Sequence, residues 1–364
     1  MDYKDLLSYA RSLTNETLRE ILEEKKAEAA GISDYVKDIV EIAMDYTLRG
    51  GKRLRAFLVL IGYWSRRWRS GDMDKIKYIM AAMEFLQSYL LVHDDIMDRD
   101  EIRRGGPTVH VWFDDKCRKT GLIGDCQHYG VSQAILTGDY LESLAVYSLA
   151  RPGFPQPVLS RLLETYTRGM RMVSYGQFLD VLIAYKRLKE VTEKDVYTIH
   201  KLKTASYTVE LPLHLGAIAS GETDDRLYRD LSAYAEPAGI AFQLVDDILG
   251  LYGDPSVTGK PVGSDVREKK KTLLIVKAYE LGSPEDRRFL EEIYDHKRPE
   301  DITDDDVARV QEIVKRTGSL DYNREIIEKL AEDAYRVLEE SSTICGEAKE
   351  VLSWLLRLFI ERKK

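Results

Sequence analysis

The stretch from Asp74 to Asp98, DKIKYIMAAMEFLQSYLLVHDDIMD, is mostly apolar and ends in three carboxylates. It is too long for a strand, and its apolar residues recur at helical spacing over most of the surface. A helix that is apolar nearly all round belongs inside a larger helical assembly. The sequence on either side repeats the pattern. NETLREILEEKKAEAA reads as a helix that opens with Asn15 as its cap. YVKDIVEIAMDYTLRGGKRLRAFLVLIGYW reads as two helices broken at Gly50-Gly51. AILTGDYLESLAVYSLA, VLSRLLETYTRGMRMVSYGQFLDVLIA, EKDVYTIHKLKTASYTVELPLHLGAIAS and RLYRDLSAYAEPAGIAFQLVDDILGLYGD continue it. Pro212 lies inside one of these patterns and predicts a kink. No alternating segment with a hairpin turn stands out. The expected fold is all-α, a single large helical bundle. A prior of about 150 residues per domain suggests two domains. No Pro/Gly/Ser-rich linker or shift in composition divides the chain, however, so residues 1–364 read as one all-helical domain.

The chain is 44% hydrophobic and 32% charged, with a formal net charge of −8. That is a soluble globular composition, and its acidity disfavours general nucleic-acid binding. Any phosphate site must be a local concentration of Lys and Arg. No apolar run nears the roughly 20 residues that span a bilayer. The N-terminal MDYKDLLSYARSL lacks a signal-peptide core, and RLFIERKK at the C-terminus has no prenylation cysteine. A cytoplasmic protein is expected. Cys117, Cys126 and Cys345 are too few for a disulfide framework. Cys117 and Cys126 flank RKTGLIGD, with His128 nearby, at a spacing that fits no common zinc pattern. They read as two thiols in an inter-helix loop.

Asp94 and Asp98 are four apart and share one helix face, with Asp95 beside them. Like charges at that spacing destabilise a helix, and the C-terminal end of the helix dipole disfavours anions. A local arrangement that costs stability is a candidate for function. Asp246 and Asp247 end a second apolar helix in the same way, with Gly250 where a third carboxylate would stand. The segments LVHDDIMD and LVDDILG echo each other. A solvated acidic helix end explains either cluster alone, but two such clusters fit Mg²⁺ better, which takes carboxylates, waters and substrate phosphates. The D-x-D-x-D-G spacing of a calcium loop is absent.

Basic residues accompany the acids. RGGKRLRA places Lys52, Arg53 and Arg55 after two glycines, where a turn can offer N–H groups to an anion. Arg103 and Arg104 follow the first cluster. Lys203 and Thr204 sit in KLKT, Lys260 in TGKP, and Arg267, Lys269, Lys270 and Lys271 in SDVREKKKT. Alone, REKKKT and the SRRWRS stretch read as solvated connections. Neither a Walker A loop nor a G-x-G-x-x-G fingerprint is present. In combination, acids hold metal, metal holds diphosphate, and Lys/Arg neutralise the remaining oxygens. Two basic sets imply two phosphorylated ligands, and the apolar interior implies that at least one of them is otherwise hydrocarbon.

The motifs GGKRLR, LVHDDIMDRDEIRRGGPTVH, GDYL, GQFLD, KTA and AFQLVDDILGLYGDPSVTGKPVGSDVREKKKTLL occur in this order. In these the chain resembles the trans-type isoprenyl diphosphate synthases, nearest the archaeal-type short-chain geranylgeranyl and farnesyl diphosphate synthases. The resemblance runs from about Tyr35 to the C-terminus. It implies an all-α fold around a central apolar cavity, a homodimer, and several Mg²⁺ ions. Asp94, Asp95 and Asp98 would hold metal at the first cluster, Asp246 and Asp247 at the second. Lys52, Arg55, Gln87 and Arg104 match the isopentenyl diphosphate site. Arg103, Lys203, Thr204, Gln243, Lys260 and Lys270 match the allylic diphosphate site. The implied reaction is ionisation, condensation and elimination, with Thr204 and Gln243 steadying an allylic cation through oxygen dipoles. The chain departs from the family at Gly250, and in the length of DDKCRKTGLIGDCQHYG (residues 114–130), expected as a flexible surface loop.

The family's elongation pocket is floored just upstream of the first acidic motif, here at Leu86, Tyr89 and Leu90. Leu86 and Leu90 share the Asp94 face of the helix wheel at about 100° per residue, so the role of Tyr89 rests on the resemblance. A bulky Tyr89 without a second aromatic at Leu90 implies geranylgeranyl diphosphate, built on allylic starters of five, ten or fifteen carbons. Farnesyl diphosphate, alone or alongside, is the alternative product. A non-catalytic partner subunit is the alternative of another class, against which the complete acidic and basic motifs stand.

Overall fold

The structure, a computed structural model, describes residues 2–253 and 263–361. These residues are all-α apart from two strands of two residues each. None of their helices is long and apolar enough to cross a membrane. The helices group into two compact units, Met1–Thr165 with Pro212–Thr223, and Tyr166–Leu211 with Asp224–Lys364.

The first unit holds α1 (Tyr3–Ile32), α2 (Lys37–Leu48), α3 (Leu54–Trp64), α4 (Met73–Asp98), α5 (Val109–Thr120) and α6 (Cys126–Ala150). The quoted stretch is α4. Asp72 caps it by accepting from the Asp74 N–H, and an unbroken buried run from Ile79 to Ser88 forms its middle. Helix α1 starts earlier than its periodicity suggested. Asp2 is the cap, and Asn15, read as a cap, lies mid-helix. Its side chain is occupied elsewhere, since Asn15 Oδ1 accepts from Arg53 Nε at 2.9 Å. Arg53 also donates to Glu84 at 2.9 Å and to the Thr47 carbonyl at 2.7 Å. This buried guanidinium ties α1, α2 and α4 to the start of α3.

Two further expectations are corrected in this unit. Residues 114–130 are mostly helix, with only 121–125 between α5 and α6. Cys117 and Cys126 are not free thiols; they form a disulfide that clamps the two helices together. Cys345 is not part of a disulfide. The third difference is a hairpin. Strands β1 (Ile102–Arg103) and β2 (Gly106–Pro107) pair antiparallel. Arg104 and Gly105 between them both have positive φ (52° and 74°), as a two-residue turn of this hand requires.

The second unit contains the C-terminal part of α7 (Gln156–Tyr185), then α8 (Glu193–Ile199) and a π-helical segment His200–Glu210; the chain continues into α9 (Leu211–Ala219), which from Pro212 on belongs to the first unit. The disturbance expected at Pro212 therefore takes the form of a widened helix just before it. Proline has no N–H to give, and the Leu211 N–H, immediately upstream, reaches back five residues to the Ser206 carbonyl. Helix α10 (Asp225–Tyr252) follows, and then α11 (Ser264–Arg267), α12 (Leu273–Leu281), α13 (Pro284–Glu291), α14 (Asp304–Arg316), α15 (Ser319–Glu340) and α16 (Gly346–Ile360). Buried Ile240, Leu244 and Val245 of α10 pack with Leu273 and Val276 of α12 and Ile199 of α8. A neighbouring core gathers Val266, Leu274, Leu290, Ile293 and Val310.

Candidate active site

In the first unit the C-terminal end of α4 carries Asp94 and Asp98 half-buried on one face, while Asp95 is fully buried. Asp95 is held from two sides. Tyr46 Oη donates to its Oδ2 at 2.6 Å, and Arg103 Nε donates to its Oδ1 at 2.7 Å. Burial pushes the Asp95 carboxyl up, against the opposing pull of the Arg103 charge and the Tyr46 hydroxyl. Burial, reinforced by the Asp95 charge, pushes the Tyr46 hydroxyl well above its ordinary value. Arg103 also reaches Asp100 at 2.8 Å and stands 3.9 Å from Asp94.

The hairpin explains how two adjacent arginines serve two places. Arg103, on β1, points to the acids. Arg104, in the turn, lays its guanidinium against Gly51, 3.4 Å from where a Cβ on that residue would stand. Arg49 steadies the hairpin by donating to the Pro107 carbonyl at 2.6 Å. Of the three cations in GGKRLR, Arg53 is held inside the fold, and Lys52 and Arg55 are the candidate anion ligands. Gln87 is 7% exposed, and its amide oxygen has no hydrogen-bond partner among the described residues. An open buried amide of this kind asks for a ligand or water.

Leu86 is fully buried and Leu90 half-buried on α4. The Tyr89 ring meets the His93 ring edge-on at 4.8 Å. His93 fits because residue 138 of α6 is glycine, where a Cβ would come within 2.3 Å of His93 Nε2. His93 and Gly138 set the slot that the Tyr89 ring leans on.

In the second unit three elements bring polar side chains together. Lys203, in the π segment, pairs with Asp180 of α7 at 2.6 Å. Thr204 Oγ1 donates to Gln243 Oε1 at 2.9 Å, and Gln243 Nε2 donates to Asp247 Oδ1 at 2.9 Å. Asp247 is buried, whereas Asp246, facing another side of α10, is half-buried. One turn beyond Asp246, the carboxylate of Asp265 fills the space beside Gly250. A Cβ on Gly250 would lie 2.0 Å from Asp265 Oδ2. The turn carrying Asp265 also carries the REKKKT cations, and the fold uses most of them. Arg267 donates to the Ile302 carbonyl at 2.6 Å, Lys269 donates to the Lys297 carbonyl, and Lys271 reaches the carbonyls of Ile183 and Ala184 at 3.2 and 2.9 Å. Lys270, half-buried, pairs with Glu268 at 2.7 Å. Lys260 lies outside the described residues.

Tyr46, Asp180 and Asp265 also belong to these groups. Asp180 closes the GQFLD motif and Asp265 lies in SDVREKKKT, while Tyr46 has no local signal in the sequence. Chemically, the half-buried Asp94, Asp98 and Asp246 are hard oxygen donors suited to Mg²⁺, while Asp95 and Asp247 are engaged within the protein. Lys52, Arg55, Arg103, Arg104, Lys203 and Lys270 are suited to phosphate oxygens.

Comparison with known proteins agrees with this chemistry. The polyprenyl synthetase family model matches residues 37–314. A geranylgeranyl diphosphate synthase of Sulfolobus acidocaldarius is 32% identical over 92% of this chain and 93% of its own. A geranylfarnesyl diphosphate synthase of Aeropyrum pernix is 33% identical over 92% of this chain and 99% of its own. The solved geranylgeranyl pyrophosphate synthase of Corynebacterium glutamicum, in complex with isoprenyl diphosphate and magnesium, superposes with a TM-score of 0.89 at 32% identity, covering 100% of both chains. With the family model spanning most of the sequence and relatives a third identical along nearly all of it, the chain belongs to the polyprenyl synthetase family of prenyltransferases.

Proposed function

We propose that the enzyme condenses isopentenyl diphosphate with allylic diphosphates of five, ten and fifteen carbons to make geranylgeranyl diphosphate, releasing diphosphate. The observation that carries this reading is the division of labour in the hairpin. Arg103 turns to the acidic end of α4, and Arg104 turns to the Gly50-Gly51 loop beside Lys52. Two neighbouring guanidiniums so divided suit two diphosphates, one bound with metal and one bound without it.

Asp94, Asp98 and Asp246 would hold Mg²⁺, with Asp95 and Asp247 as buried supports for their neighbours. The metal supplies charge that makes diphosphate a good leaving group. Arg103, Lys203 and Lys270, with Lys260, neutralise the allylic diphosphate as its negative charge grows. Lys52, Arg55, Gln87 and Arg104 hold isopentenyl diphosphate, whose double bond attacks the allylic carbon. Thr204 and Gln243 offer oxygen dipoles to the cation, and the departing diphosphate can accept the proton that is lost. Relatives named for twenty- and twenty-five-carbon products match equally well, so product length is argued from Leu86, Tyr89 and Leu90. A tyrosine held by His93 forms a fixed floor, which supports twenty carbons.

A homodimer is part of this proposal. Tyr175, Phe178, Leu182 and Tyr185 form one exposed stripe on α7, Phe178 at 69% and Tyr185 at 86%. A stripe of four large apolar residues calls for a cover, and a second copy of the chain is the cover proposed. We also take residues 1–364 to act as one catalytic domain in the cytoplasm.

The test is incubation with labelled isopentenyl diphosphate, Mg²⁺ and each allylic starter, with the dephosphorylated products sized by chromatography. Twenty-carbon alcohol as the main product is expected, and Tyr89→Ala should lengthen it. A main product of another length overturns the floor argument alone. No Mg²⁺-dependent product from any starter overturns the enzyme reading in favour of a partner subunit.

A further inference from the structure

The assignments above leave a buried histidine beside Asp247 unused. His200 opens the π segment and is 6% exposed. Its Nε2 stands 3.2 Å from Asp247 Oδ2, at ion-pair distance though not aligned as a hydrogen bond. Its Nδ1 has no hydrogen-bond partner among the described residues. Asp247 in turn accepts from Gln243, and Gln243 accepts from Thr204. Four side chains from the π segment and α10 therefore form one continuous chain.

Donor and acceptor chemistry gives that chain a direction. An ionised carboxylate only accepts. Gln243 must then turn its NH₂ to Asp247, which leaves its amide oxygen facing Thr204. The Thr204 hydroxyl has a single hydrogen, and that hydrogen goes to the amide oxygen. What Thr204 has left to present elsewhere is its lone pairs. If the Gln243 amide turned over, the order would reverse and the Thr204 hydrogen would be released to point outward. For a developing allylic cation, the two orders differ in sign, an electron-rich oxygen in one and a positive hydrogen in the other.

We propose that His200 is a positioning residue that fixes this direction. Standing against Oδ2, it holds the Asp247 carboxylate with Oδ1 toward Gln243, so that Thr204 keeps its lone pairs available to the cation. This rests on the prenyltransferase reading of Thr204 and Gln243. Without His200 the carboxylate is free to turn, the amide loses its fixed end, and Thr204 loses its defined polarity. The effect belongs to the chemical step and not to substrate binding.

The experiment compares wild type with His200→Phe, His200→Gln, Thr204→Val and the double variant His200→Phe/Thr204→Val, under saturating substrates and Mg²⁺. His200→Phe should lower kcat about tenfold, the size of a single pairwise coupling, with KM for both diphosphates unchanged. His200→Gln, whose amide can donate to Asp247, should recover most of that loss. In the Thr204→Val background His200→Phe should have little further effect, because the oxygen it aims is gone. Additive losses in the double variant, raised KM values, or a glutamine variant no better than phenylalanine would each overturn the proposal. Should the phenylalanine variant fail to fold, His200→Asn, too short to reach Asp247, makes the same comparison. A wild type that forms no prenyl product sinks the functional reading itself, whereas an active wild type with an additive cycle sinks only the role of His200.

Discussion

Gly250 shows how a single residue can look like a loss in the sequence and not be one in space. The second acidic motif reads as incomplete there, yet the carboxylate of Asp265 stands where a side chain at 250 would begin. The substitution Gly250→Asp should therefore destabilise the protein by about 2 kcal/mol, through crowding in a packed site and a second like charge. Gly250→Asp/Asp265→Gly should return the urea midpoint close to that of the wild type, and a single variant as stable as the wild type would contradict the placement. Asp265 escaped the sequence reading because it lies fifteen positions along, with no helical register tying it to Asp246. Lys271 is a second case. In the sequence it is one of a run of cations, and in the fold it is 6% exposed on two carbonyls at the end of α7. Burial holds its amine at about 8, below the ordinary 10.5. Below pH 8 it is charged both folded and unfolded, and burial of that charge weakens the fold. Between pH 8 and 10.5 the unfolded chain binds the extra proton, so this residue's contribution to stability rises with pH. Other lysines and tyrosines titrate in the same range, so the measurement is a difference. Wild-type stability minus that of Lys271→Met should grow over this window, and a flat difference would mean that the amine is solvated.

At the scale of elements, periodicity made the long helices legible and left the short devices hidden. Helix α4 was readable because 25 residues with one apolar pattern outweigh any local exception. The start of α1 was misread because Asn15 has the side chain of a cap, while its amide serves Arg53 in another helix. Strands of two residues carry no alternation, so the hairpin that separates Arg103 from Arg104 could not be seen in advance. The π segment has no sequence period of its own, and only Pro212 marked its end. The clamp between α5 and α6 is the largest such miss. Two cysteines nine residues apart do not announce a bridge in a chain with only three, and pairing depends on helices turning back on each other. Closing so short a loop is worth about 2 kcal/mol, so Cys117→Ser/Cys126→Ser should lower stability by roughly that amount and leave the product profile intact. Intact mass of the unfolded, unreduced protein should fall short by two hydrogens. A full complement of hydrogens would show that the thiols stay apart.

The whole molecule carries a net charge of −8, and against that acidic background GGKRLR, RR after the first acidic cluster and REKKKT stand out as local runs of cations. That much was legible, because sites built from opposite charges interrupt an otherwise ordinary surface. What composition did not reveal is how much apolar area the finished fold leaves uncovered. The α7 stripe is a clear instance. Residues 175, 178, 182 and 185 recur at helical spacing, which in sequence is indistinguishable from a core face, yet in the folded chain they lie exposed. Leaving such a stripe in water forgoes about 2 kcal/mol for each large side chain that a partner would bury, which favours association. Light scattering should therefore give the wild type twice the 41.8 kDa of one chain. Phe178→Glu/Leu182→Glu places two charges in the stripe and should return the protein to a single chain, with its helical content unchanged. Both positions flank Asp180, the partner of Lys203, so the chain mass and not the activity is the readout. A wild type that stays at one chain mass under the same conditions, or a double variant that stays paired, would mean the stripe is covered by something other than a second copy.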